Sequence, residues 1–187
     1  GRTMKRLYTI GHSNRSIEEF IALLLENGVT LLADVRSVPR SRTNPQYNLD
    51  VLPGTLAQSG IRHTHISQLG GLRHGAKNSV NTAWRNKSFR GYADYMQTEG
   101  FLVGLSILME WTKTEVVAIM CAEAVPWRCH RSLIADALLV RGYEVRDIMS
   151  PHHYPPHKLT PFAHVEGEIV TYPGGEGEGG RGVRNPC

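Results

Sequence analysis

The sequence predicts a single α/β domain built on a mostly parallel sheet with helices on both faces. Three observations predict it: apolar runs of strand length recur along the chain, helix-patterned stretches alternate with them, and most connections are short. Such alternation calls for right-handed crossovers that cover the sheet on both sides.

KRLYTI (5–10) is a short apolar run ending at Gly11. Ser16 and Glu19 form a capping box ahead of the apolar helix positions Phe20, Leu23 and Leu24, and Gly28 closes that helix. TLLADV (30–35) is apolar on successive residues, as a strand covered on both faces must be, and it runs into Arg36. A loop rich in Pro, Asn and Arg (37–48) and a short helix around Leu52 to Ser59 lead to IRHTHI (61–66), whose alternation predicts a more exposed third strand. Residues 69–90 lack periodicity and carry glycine, asparagine and basic side chains, which predicts a long loop or lid. A helix from about Tyr92 to Trp111 precedes EVVAIM (115–120), the most strand-like segment and the expected centre of the sheet, which Cys121 ends. A helix over 130–141 stops at Gly142, and YEVRDI (143–148) is the last strand. The domain is expected over residues 1–165. Beyond Ser150 a Pro/His-rich segment gives way to GGEGEGGRGVRNPC, which has almost no apolar content, and residues 166–187 are expected to form a flexible Gly-rich tail.

At 187 residues the chain can bury a core without disulfide or metal staples, so its stability calls for no cofactor, and the residues specify none. No apolar run approaches the roughly 20 residues of a membrane span, and the start lacks the apolar stretch of a secretion signal, so a cytoplasmic protein without a membrane partner is expected. The three cysteines, Cys121, Cys129 and Cys187, are read as thiols. The formal charge of +4 suits anionic partners without requiring them; the clustering of arginines in RSVPRSR (36–42) and WRCHR (127–131) is the better clue. The oligomeric state is not legible.

In open parallel sheets, ligands sit beyond the carboxyl ends of the strands, where GHSN, DVRSVPRSR and CAEAVPWRCHRS all fall. Cys121 and Glu123, followed by Cys129, His130, Arg131 and Ser132, join a strand end to a helix start, where free N–H groups and the helix dipole favour an anion and lower a thiol pKa. Arg131 and Ser132 could complete a phosphate or carboxylate cradle, with His130 beside it. Two thiols, a histidine and a carboxylate within ten residues also evoke a metal site, but the spacing lacks the C-x-x-C pattern of structural zinc, and no metal ligand is assigned. Inert buried cysteines beside solvated arginines are the plain alternative.

Asp34 and Arg36 end the second strand: the carboxylate could accept a proton or hold a ribose hydroxyl, or the two could simply pair. Arg42 and Tyr47 suit phosphate contact and base stacking, against ordinary turn punctuation by Pro39, Asn44 and Pro45. His12 is an acid/base candidate and Ser13 a ligand contact, in a glycine loop too short for a dinucleotide fingerprint.

Taken together, TIGHS, ADVRSVPRSR, LGG, FRGYADYM and MCAEAVPWRCHRSLIADALLVRGYEV resemble the uncharacterised family catalogued as domain of unknown function 488, over about residues 5–150. The resemblance implies an α/β fold and a shared site built from these motifs, with no established reaction. Where such proteins commonly carry a lysine-like or acidic residue after Cys-x-Glu, this chain has Ala124 and Val125. A more distant resemblance is to rhodanese-like domains, in the order of the DVR strand end, cysteine loop, Arg-Ser helix start and RGYEV strand. The Cys121 to Arg131 loop is longer than a compact sulfur- or phosphate-transfer cradle. The fold expected is thus a Rossmann-like or rhodanese-like three-layer arrangement.

The leading expectation is an enzyme, possible chemistries being thiol-dependent transfer or hydrolysis, acting on a phosphate-bearing small molecule or nucleic acid. Arg36, Arg42 and Arg131 would bind the anion, Cys121 or Cys129 would be nucleophile or redox thiol, and Glu123, Asp34 and His12 would be the acid/base groups. The alternatives are a non-catalytic nucleic-acid-binding module stacking bases on Tyr47, Trp84 or Trp127, and a rhodanese-like sulfur or phosphate transferase.

Overall fold

The structure, a computed structural model, describes residues 5–174. Its five-stranded parallel sheet has the order β3-β2-β4-β1-β5, with β1 Arg6–Gly11, β2 Leu31–Asp34, β3 Arg62–His65, β4 Val117–Cys121 and β5 Glu144–Ile148. All five residues of β4 are buried, as a central strand requires, whereas β3 lies at an edge and shows no fully buried residue.

Helices cover both faces. Ile17–Glu26 (α1) starts at Ser16, whose Oγ accepts from Glu19 N at 3.1 Å, and Leu52–Ala57 (α2) follows the second strand. Phe20, Leu23 and Leu24 of α1 and Leu52 and Leu56 of α2 close the first apolar core against Ile10, Leu32 and Met120. On the other face, Lys87–Tyr95 (α3), Glu99–Trp111 (α4) and Arg131–Leu139 (α5) supply Phe89, Phe101, Leu105 and Leu133 to the larger core around Ile119 and Val145. Gly28 and Gly142 both follow helix ends at positive φ, +69° and +88°, where a side chain would be strained.

Three expectations change. The single helix from Tyr92 to Trp111 is two, because the Thr98 hydroxyl accepts from Phe101 N and opens α4 afresh. The 69–90 loop is irregular only as far as Asn86, where α3 is capped, and it is pinned: Asp94 accepts from Ala76 N, the Ser79 hydroxyl and the Asn81 amide. Beyond residue 165, where a tail is expected, an antiparallel hairpin of β6 His164–Glu166 and β7 Ile169–Thr171 carries Val170 and Tyr172 into the larger core. Val170 and Tyr172 supply the apolar anchorage, and Asn81 Oδ1 accepts from Tyr172 N at 2.8 Å. The glycine-rich run from 175, with Cys187, lies outside the described residues. No described helix is long and apolar enough to cross a membrane.

Candidate functional site

Strand order places the site. The chain leaves β1 and β2 toward α1 and α2 on one face, and leaves β4, which lies between them, toward α5 on the other. Loops diverging from neighbouring strands open a crevice at their carboxyl ends. Three segments meet there: His12 N donates to Cys121 O and Ser13 N to Ala122 O, both at 2.9 Å, while Val35 N donates to Met120 O at 3.0 Å. Ser13 takes φ 47° in the turn.

Asp34 and Arg36 pair below the surface. Arg36 Nε and Nη2 donate to the carboxylate at 2.9 and 2.7 Å, and Nη2 also donates to Tyr47 O at 2.7 Å. Burial pushes the Asp34 carboxyl up, but the adjoining His63 ring and Arg36 guanidinium outweigh it and hold the pKa at about 2. Arg36 Nη1 has no hydrogen-bond partner among the described residues, although the residue is only 2 % exposed.

His12 is equally enclosed, 2 % exposed, with its ring stacked on Tyr47 at 4.3 Å between centroids. Its Nδ1 lies 2.8 Å from Ser13 O and donates to it, which leaves Nε2 of the neutral ring as a lone-pair acceptor, and Nε2 too has no partner among the described residues. Burial lowers the His12 pKa to about 4, with the Ser13 carbonyl opposing and Arg36 assisting. His12 and Arg36 line one cavity of about 210 Å³, together with Arg40, Ser41, Leu72 and Ala122. Two residues on the wall of a single cavity thus each keep a buried nitrogen without a hydrogen-bond partner among the described residues.

The cysteine motif builds the floor behind this cavity. The sulfurs of Cys121 and Cys129 lie against each other, with Cα atoms 7.5 Å apart, a span wider than a disulfide ordinarily bridges. His130 Nε2 donates to Val35 O at 2.8 Å, so Nδ1, 3.5 Å from Cys129 Sγ, is the unprotonated nitrogen. Complete burial lowers the His130 pKa to about 4, against the Val35 carbonyl and with Arg131. Arg131, fully buried, donates to Cys121 Sγ at 2.8 Å, to Thr9 Oγ1 at 3.3 Å, and to the carbonyls of Glu123 and Ala124. Its guanidinium therefore ties the 121–131 loop to β1 instead of facing the cavity. Gly11 makes the close approach possible: a Cβ there would lie 1.7 Å from Glu123 O.

The expected site residues thus divide. His12 and Arg36 meet at the cavity, with Asp34 and Tyr47 directly behind Arg36. Cys121, Cys129, His130 and Arg131 form a wholly buried cluster, and the Ser132 hydroxyl donates to Cys129 O at 2.9 Å. Glu123 is half-buried, and it is its carbonyl that receives Arg131. Arg42 is exposed and does not line the cavity; Arg40, two residues earlier in the same arginine-rich run, does. Tyr47 is fully buried beneath His12, so no ligand base stacks on it in this conformation.

Sequence reasoning also missed a buried chain of charges beside the motif. Thr9 Oγ1, which accepts from Arg131, donates to Asp147 at 2.6 Å; His157 lies 3.8 Å from Asp147 and 2.8 Å from Asp136, which also accepts from Tyr172 OH at 2.8 Å. Burial lowers the His157 pKa, but the two carboxylates outweigh it and raise it to about 9. No local pattern in the Pro/His-rich segment signals these partners. Among the described residues, no three His, Cys, Asp or Glu side chains group as metal ligands.

The sequence model for DUF488, a domain of unknown function, matches residues 16–138. No curated protein and no solved structure matches the chain.

Proposed function

For a chain that belongs to the DUF488 family of domains of unknown function, we propose an enzyme that binds a phosphate-bearing ligand, a nucleotide or nucleic acid, at the crevice beyond β1, β2 and β4. The observation that carries this reading is the pair of unpartnered nitrogens, Arg36 Nη1 and His12 Nε2, on residues lining one cavity. Arg36 is held by Asp34 and Tyr47, so its remaining N–H is oriented in advance for an anionic oxygen. Asp34 cancels the formal charge of Arg36, and Arg40 at the cavity rim supplies the excess positive charge that favours an anion.

His12 brings a different capacity. A neutral ring with Nδ1–H fixed on Ser13 O offers its Nε2 lone pair to a hydroxyl, and can take that proton as a general base. The cavity therefore combines an anion donor with a proton acceptor, which fits a phosphoester carrying or attacked by a hydroxyl. In this reading Arg131, through the Glu123 and Ala124 carbonyls, holds the loop that forms the cavity wall.

The test is calorimetric titration with inorganic phosphate and nucleoside monophosphates at several salt concentrations. Saturable millimolar or tighter binding is expected, weakened about tenfold in Arg40→Ala with a shallower salt dependence. Failure of the wild-type protein to bind any of these anions would overturn the reading.

One contact favours a second reading. Arg131 Nη1, 2.8 Å from Cys121 Sγ, would stabilise a Cys121 thiolate once that sulfur is free of Cys129, as attack on a sulfane-sulfur donor needs. A persulfide on Cys121 in the intact protein, absent from Cys121→Ser, would support it.

A further inference from the structure

On the α5 side of the 121–131 loop, the segment after β5 folds back and encloses a larger cavity of about 550 Å³. Its walls include Trp84, Trp127, Ser132, His157, Lys158 and Phe162. Trp84 is held rigidly: its ring lies 5.0 Å from Phe89, 4.9 Å from Phe162 and 5.6 Å from Tyr172. It is only 5 % exposed, yet its Nε1–H has no hydrogen-bond partner among the described residues. Buried indole N–H groups ordinarily find an acceptor. On the same cavity, Trp127 is 62 % exposed, the most exposed of the large apolar side chains described.

We propose that this cavity is a second binding site, for a flat heteroaromatic ring bearing a hydrogen-bond acceptor, the chemistry of a nucleobase. Trp127 offers an open ring face for stacking, and an acceptor on the ligand satisfies the Trp84 N–H, a requirement that a purely hydrocarbon ring fails. Lys158 adds positive charge to the wall, suited to ring carbonyls or to an attached anion, while His157 is already paired with Asp136 and with Asp147, which also lines the cavity. The 121–132 segment borders both cavities, through Ala122 on one and Trp127 and Ser132 on the other. The inference rests on the phosphate reading only for joining the two cavities to one ligand, a nucleotide.

The probes are unphosphorylated nucleosides, adenosine and uridine, with toluene as an apolar-ring control, titrated into the full chain. Tryptophan fluorescence and the indole N–H resonance of Trp84 are followed. Saturable nucleoside binding with a shift of the Trp84 resonance is expected, with no such shift from toluene. Trp127→Ala, a surface change, is expected to weaken binding about tenfold, and Trp84→Phe, which keeps a ring and removes the N–H, by a similar factor. If Trp84→Phe fails to fold, the resonance and Trp127→Ala still decide. No saturable nucleoside binding, or binding unchanged in Trp127→Ala with an unshifted Trp84 resonance, overturns the proposal. His12→Gln is expected to keep nucleoside binding, so failure at the phosphate cavity is distinguishable from failure here.

Discussion

The ring of His12 lies almost parallel to that of Tyr47, 14° between planes, and Tyr47 in turn donates its hydroxyl to Arg15 O at 2.7 Å. Stacking, burial and the Ser13 carbonyl hold one tautomer of one rotamer at the end of β1, and they do so at the expense of the charged imidazolium.

That expense predicts how stability varies with pH. His12 and His130 have pKa values lowered from 6.5 to about 4, so between these values the unfolded chain binds more protons, and stability falls on acidification through that window. His157 is raised from 6.5 to about 9, so its contribution is fully present below 6.5 and is lost as pH rises toward 9. Thermal unfolding is therefore expected to be most resistant near neutrality. His12→Gln should flatten the acid limb and His157→Gln the alkaline limb, each by about 1 kcal/mol per pH unit in its window. A wild-type melting temperature independent of pH from 5 to 9 would contradict the assignment.

Asp34→Asn should be among the most damaging single changes. It leaves the Arg36 guanidinium buried without its carboxylate, a loss of about 3–5 kcal/mol in denaturant unfolding. Arg131→Met removes the donors to Cys121, Thr9 and two carbonyls and should fall in the same range, whereas Arg42→Ala on the exposed loop should change stability by under about 0.5 kcal/mol.

Two glycines should respond oppositely to alanine. At Gly11 the added Cβ overlaps the Glu123 carbonyl and approaches Arg131 Nη1 at 2.9 Å, so the loop must move and unfolding free energy should drop by at least about 2 kcal/mol. At Gly54, inside α2, nothing lies within 4 Å, and alanine should stabilise by about 0.5–1 kcal/mol.

Ending the chain after residue 165 should expose the larger core. Val170 and Tyr172 leave it, and Asp136 loses the Tyr172 hydroxyl, so a cost of at least about 3 kcal/mol is expected. Tyr172→Phe in the full chain keeps the ring and removes only the hydroxyl bond to Asp136, so it should cost only about 1–2 kcal/mol, which urea titration of both variants measures.

The strands and most helix ends were legible in the sequence because their signals are local: apolar runs, the Ser16 cap, and Gly28 and Gly142 at helix ends. The candidate site was legible in part. Alternation of strands and helices predicted that the loops after β1, β2 and β4 converge, and His12, Asp34 and Arg36 were named from them. Which members of each loop face a cavity was not legible, because Arg40 and Arg42 are chemically equivalent in sequence and differ only in where the turn sets them.

The sequence by itself therefore determined the parallel α/β layering and the composition of the three loops at its carboxyl edge. Tertiary structure alone decided that Arg131 faces inward to bind carbonyls and Cys121 and that Tyr172 closes the core. It also decided that His157 lies between two carboxylates. The physical reason is range: propensity and periodicity act within a few residues, whereas burial and charge pairing are set by partners brought together across the sheet, as Arg131 and Thr9 are at 122 positions apart.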